Sequence, residues 1–128
     1  MDETELTVAI VDDDEAVRRA LRRMVSSLSY RVADFPSGQA FLDELQKEQF
    51  ACVLLDLHMP ELNGIEVLAR LRMAGHRLPA IIITGGDEPK MRDRCLSAGA
   101  SDYLIKPLER DATSAAIQAS SSLSGSVF

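Results

Sequence analysis

Three carboxylates, a hydroxyl and an ammonium stand at places in this chain where one structural edge could gather them. Asp12 and Asp13 follow the apolar run Leu6 to Val11, and Asp56 follows Ala51 to Leu55. Thr84 ends Ala80 to Ile83, and Lys106 follows Tyr103 to Ile105. Singly, each has an ordinary explanation: a turn acid before Pro60, Asn63 and Gly64, a strand end or helix cap at Thr84, a surface cation at Lys106. Together they suggest chemistry. Like charges ~4 Å apart repel by roughly 4 kcal/mol at an effective dielectric of about 20, so three clustered acids call for a cation. Hard oxygen ligands on short loops suit Mg2+, with Mn2+ as the alternative, and Mg2+ usually keeps waters that leave room for a phosphoryl group. The chemistry implied is phosphoryl transfer onto Asp56, with the Lys106 ammonium neutralising phosphate oxygens and the Thr84 hydroxyl donating to one of them. Gly85, without a side chain, lets the backbone come close.

The elements that must position these groups are legible from periodicity. Cys52, Val53, Leu54 and Leu55 form a continuous apolar run of the kind buried on both faces, as do Ala80 to Ile83 and much of Leu6 to Val11. Tyr30 to Phe35 alternates, which predicts a strand nearer an edge, and Tyr103 to Ile105 is a short last strand. Between them, Val17, Leu21, Val25 and Leu28 recur at helical spacing, as do Phe41, Leu42 and Leu45, then Ile65, Leu68 and Leu71, then Met91, Cys95 and Ala98. Pro36 to Gly38, Gly75 with Pro79, Pro89 and Gly99 punctuate them. A final helix from about Glu109 carries few large apolar residues, which predicts weak packing, and Ser120 to Ser126 reads as a polar tail. The domain is therefore placed at residues 1–119, with 120–128 as tail or linker.

Five strands alternating with five helices predict an α/β fold with a parallel sheet covered on both faces. In such a sheet all strands point one way, so Asp12, Asp13, Asp56, Thr84 and Lys106 share the carboxyl edge, where open α/β sheets take ligands. Asp12 to Glu15 also suit the first turn of a helix, where the dipole favours acids. Arg18, Arg19, Arg22 and Arg23 read as a solvated face with i,i+4 pairs rather than a docking surface.

Composition narrows the function classes. With 128 residues and 46% apolar content, one globular domain is expected, and no apolar run approaches the ~18 residues of a membrane span. The formal charge of −6 argues against direct nucleic-acid binding. The acidic start MDETELTVAI lacks the features of a signal peptide, so a cytoplasmic location is expected. Cys52 and Cys95 lie in apolar patterns without CxxC spacing, which reads as two small core residues rather than a disulfide or zinc site.

The motifs VDDDE, LLDLHMPELNG, ITGG and AGASDYLIKP, in that order along nearly the whole chain, resemble the response-regulator receiver domains of two-component signalling. The resemblance implies a flavodoxin-like fold with strand order 2-1-3-4-5. It matches Asp56 to the phosphoacceptor, Asp12 and Asp13 to the metal-binding acidic pair, and the backbone carbonyl of His58 to a further ligand. Thr84 and Tyr103 match the switch pair, and Lys106 with Pro107 the lysine and its cis peptide bond. It further implies a sensor histidine kinase or histidine phosphotransfer protein as phosphodonor. A downstream target or an output domain beyond Phe128 would receive the signal, and no turnover is implied beyond self-phosphorylation and slow self-dephosphorylation. Leu108 stands where many members carry Phe, and the last helix lacks the charged pattern of some dimerising branches, leaving monomer or weak dimer open. Gly86 suggests open water access and a short phosphate lifetime. Haloacid-dehalogenase-like hydrolases pair their acids as DxD after the first strand, unlike this chain. A nucleotide or flavin binder would not place three acids in its phosphate loop. Against a third alternative, a pure interaction module built on a receiver that no longer takes phosphate, stands the presence of every motif residue.

Overall fold

Apolar runs that are too uniform to face water on either side become the middle of the sheet. The structure is a computed structural model describing residues 6–86 and 88–125. Its elements are β1 (Thr7–Val11), α1 (Glu15–Ser27), β2 (Arg31–Phe35), α2 (Gly38–Glu44), β3 (Cys52–Asp56), α3 (Gly64–Met73), β4 (Ala80–Thr84), α4 (Pro89–Ser97), β5 (Asp102–Ile105) and α5 (Arg110–Gly125). The strands form one sheet in the order β2-β1-β3-β4-β5, with every pairing parallel. The three uniformly apolar strands β1, β3 and β4 are buried along their full length. The alternating strand β2 is only partly covered and lies at an edge, as its pattern predicts.

Alternate residues of each strand feed two cores. Ala9, Val11, Val53, Leu55 and Ile82 pack with Phe41 of α2, Val67, Leu68 and Leu71 of α3, and Cys95 of α4. Val8, Ile10, Cys52, Leu54, Ile81 and Ile83 pack with Leu21 and Val25 of α1 and Ala116 and Ile117 of α5. Phe35, Phe41 and Phe50 close the first core near β2, with ring centroids 5.5 to 6.1 Å apart.

Helix starts follow local chemistry. The Asp14 carboxylate accepts from the amides of Ala16 and Val17, capping α1, while Asn63 and Glu66 form a reciprocal capping box on α3. Of the acids Asp12 to Glu15, it is therefore Asp14 that serves the helix end. Gly75 and Gly99 follow α3 and α4 with φ of +85° and +106°, conformations that stop a helix and suit glycine.

The last helix differs from its sequence reading. It continues to Gly125 rather than giving way to a tail at Ser120, and Thr113, Ala116, Ile117 and Ser120 are all buried. Small side chains let the helix lie close to the sheet, so Ala and Ser pack where large residues would not fit.

Candidate functional site: an acidic pocket at the carboxyl edge of the sheet

Register brings the predicted residues to one edge. Val11 of β1 is paired with Leu55 of β3, so Asp12 and Asp56 come next at the same level on neighbouring strands. Asp56 is paired with Ile83, and Thr84 with Ile105, so Thr84 and Lys106 follow one step further on β4 and β5. The Lys106 amide donates to the Thr84 carbonyl at 2.7 Å, tying these last two strand ends together. The Lys106–Pro107 peptide is cis, as the resemblance implies.

One carboxylate oxygen from each of Asp12, Asp13 and Asp56 lies within 4.8 Å of the others. Lys106 Nζ stands 2.9 Å from Asp12 Oδ2 and 3.3 Å from Asp56 Oδ1. Asp12 and Asp56 are buried, whereas Asp13 is exposed and forms the open side. Burial raises the Asp56 carboxyl to a pKa of about 6, and Asp12 and Asp13 add to the rise while Lys106 opposes it. Burial pulls the Lys106 ammonium down, but its bonds and attraction to Asp12 and Asp56 outweigh that and leave it raised. Three acids against one ammonium leave negative charge to spare, and an all-oxygen donor set with one solvent-facing member fits a hard divalent cation.

Thr84 is fully buried, and its Oγ1 accepts from the Gly86 amide over 3.5 Å. A Cβ added to Gly85 would meet nothing within 4 Å, so the space beside it is open. Tyr103 is buried, with the Arg92 guanidinium 5.6 Å above its ring centroid. The His58 imidazole is exposed and points to Glu88, 3.5 Å from its carboxylate.

Two features escaped the sequence reading. Arg18 and Arg22 are not merely part of a solvated face: both reach the carboxylate of Asp34 at the end of β2, and Arg18 also bonds the Asp12 carbonyl. The i,i+4 expectation holds for Arg19 with Glu15, 3.0 Å apart and exposed. Asp34 lies in the alternating run Tyr30 to Phe35, and no local signal links it to Arg18, sixteen residues earlier, or to Arg22, twelve earlier. The second is Gly64, read as a turn residue. Its position is set by backbone approach, since an added Cβ would lie 2.7 Å from the Asp56 carbonyl oxygen.

A five-stranded doubly wound sheet with acids, hydroxyl and lysine gathered at its carboxyl edge defines a class of phosphoacceptor domains. Residues 8–118 match the family model described as response regulator receiver domain, and the chain belongs to that family, the phosphoacceptor module of two-component signalling. Among relatives, the response regulator protein TmoT of Ectopseudomonas mendocina is 37% identical over 111 residues, covering 87% of this chain and 50% of that protein. The transcriptional regulatory protein FixJ of Bradyrhizobium diazoefficiens is also 37% identical over 111 residues, covering 87% of this chain and 54% of its own length. The crystal structure of FixJ-N superposes with a TM-score of 0.88 at 32% identity, covering 98% of this chain and 99% of that one. Full-length FixJ from B. japonicum gives 0.89 at 34% identity, with 97% and 61% covered. The chain thus spans about half the length of the curated relatives it matches.

Proposed function

We propose that this receiver takes a phosphoryl group from a sensor histidine kinase or histidine phosphotransfer protein onto Asp56. The observation that carries the reading is the approach of Asp12, Asp13 and Asp56 to within 4.8 Å, with Lys106 bridging two of them. In the transfer, an Asp56 carboxylate oxygen attacks phosphorus and the phosphorus–nitrogen bond to the donor imidazole breaks, the imidazole leaving with the bonding pair. Lys106, already beside Asp56 Oδ1, balances the charge of the phosphoryl oxygens. Thr84 supplies a hydroxyl donor and the open space at Gly85 gives room. Asp12, Asp13, Asp56 and the carbonyl of His58 would hold Mg2+ or Mn2+, which when bound supplies the positive charge that phosphoryl transfer needs.

The added ~1.5 to 2 negative charges then bias Thr84 and Tyr103 toward a second arrangement that a partner reads. Relatives about twice as long support an output domain following the receiver fold. No turnover of an outside substrate is assigned. Among the described residues no helix is long and apolar enough to cross a membrane, and a cytoplasmic site fits the proposed partners.

The test is labelling of the purified chain by acetyl phosphate with Mg2+, followed by intact mass. Wild type should gain one phosphoryl group and Asp56→Asn none. Undiminished labelling of the variant rejects Asp56 as acceptor.

A further inference from the structure

Of the three acids, Asp12 and Asp56 are held from several sides and Asp13 is not. Asp12 donates its amide to the Phe35 carbonyl at 3.2 Å, accepts the Asp14 amide on Oδ1 at 2.9 Å, and meets Lys106 on Oδ2. Asp56 meets Lys106 as well. Among the described residues, no hydrogen bond or ion pair holds the Asp13 carboxylate, so the peptide from which it projects is the part of it that neighbouring groups can fix.

That backbone is held by Arg18. Its Nη1 donates to the Asp12 carbonyl at 2.8 Å and its Nε to Asp34 Oδ2 at 3.0 Å, with only 16% of its side chain exposed. The Asp12 carbonyl and the Asp13 amide are two ends of one planar peptide, so fixing the oxygen fixes the plane from which Asp13 projects. Arg22 also meets the Asp34 carboxylate, so Arg18 is not needed simply to staple α1 to β2. What Arg18 adds is the bond to the acidic loop.

We propose that Arg18, anchored by Asp34, is a positioning residue that aims Asp13 into the cation site and thereby sets divalent-metal affinity. The inference rests on the reading of the pocket as a metal site. Outer partners that orient metal ligands typically change affinity by 10- to 100-fold when removed. The sign of the effect separates positioning from simple electrostatics. Removing a positive charge near an acidic pocket should tighten cation binding, whereas losing the aim of Asp13 should weaken it.

The experiment is a Mg2+ titration of the whole chain followed by amide NMR shifts, with melting measured separately. Arg18→Met should weaken Mg2+ binding about 10-fold. Arg22→Met, which loses a contact to the same Asp34 but none to Asp12, should stay within about two-fold of wild type. If Arg18→Met does not fold, Arg18→Ala carries the test with the same loss of positive charge, and it should weaken binding in the same direction. Unchanged or tighter binding by the folded variant, with normal binding by wild type, overturns the positioning role and leaves the metal site standing. Failure of wild type to bind Mg2+ overturns both.

Discussion

Asp56 is an acid placed where acids do not ionise readily. Buried at the end of β3 and facing Asp12, its carboxyl titrates near pH 6 instead of its ordinary 3.8. The fold therefore favours the protonated form, and the stability this contributes is present below about pH 4 and lost as pH rises through about 6. Asparagine cannot ionise and escapes that loss. Metal-free Asp56→Asn should thus be more stable than wild type by about 1 to 2 kcal/mol at pH 8, with the gap shrinking as pH falls through about 6 and closed at about pH 4. Urea midpoints in EDTA at the two pH values check this, and an equal gap at both would contradict it. Spacing and composition showed the acids, while only the resemblance of the motifs set Asp12 and Asp13 apart from Asp14 and Glu15. Asp14 caps α1 while Asp12 and Asp13 turn to the pocket, a division decided by backbone geometry that residue type does not encode. Arg18 was hidden for a similar reason, because its partners are a carbonyl and the distant Asp34.

At the scale of elements, the loop from β3 to α3 is as much a part of the site as the side chains. The Gly64 amide donates to the Leu57 carbonyl at 2.8 Å, drawing the start of α3 against the residues that carry Asp56. An alanine there would bring its Cβ to 2.7 Å from the Asp56 carbonyl oxygen and 3.0 Å from Leu57 Cα, both rigid backbone atoms. Gly64→Ala should cost about 1 to 3 kcal/mol and slow acetyl phosphate labelling, because the helix and Asp56 cannot both keep their places. Chemical denaturation with a labelling time course measures both, and a variant as stable and as fast as wild type would contradict the role of this contact. The strands and the first four helices were legible because their apolar spacing is strong. The end of α5 was not, since Ala and Ser mark a solvent tail and a closely packed small-residue helix equally well, and burial of Ser120 follows only from where the helix lies.

For the whole molecule, periodicity specifies which face a residue turns to the core but not which strand is its neighbour. The order β2-β1-β3-β4-β5 was therefore accessible only through resemblance of ordered motifs. Once that order holds, the site follows from topology: parallel strands deliver Asp12, Asp56, Thr84 and Lys106 to one pole, while the cavity lined by Leu45, Phe50, His76 and Pro79 lies between the α2–β3 and α3–β4 loops at the amino ends of strands. The two poles give a direct test. Amide NMR shifts on adding beryllofluoride, a phosphoryl mimic, with Mg2+ should concentrate at Asp13, Leu57 and His58, Thr84 to Gly86, and Lys106, and should vanish when Mg2+ is withheld. Shifts centred instead on residues 45–50 and 76–79, or no response with both additives present, would contradict a phosphoacceptor pocket at the carboxyl edge.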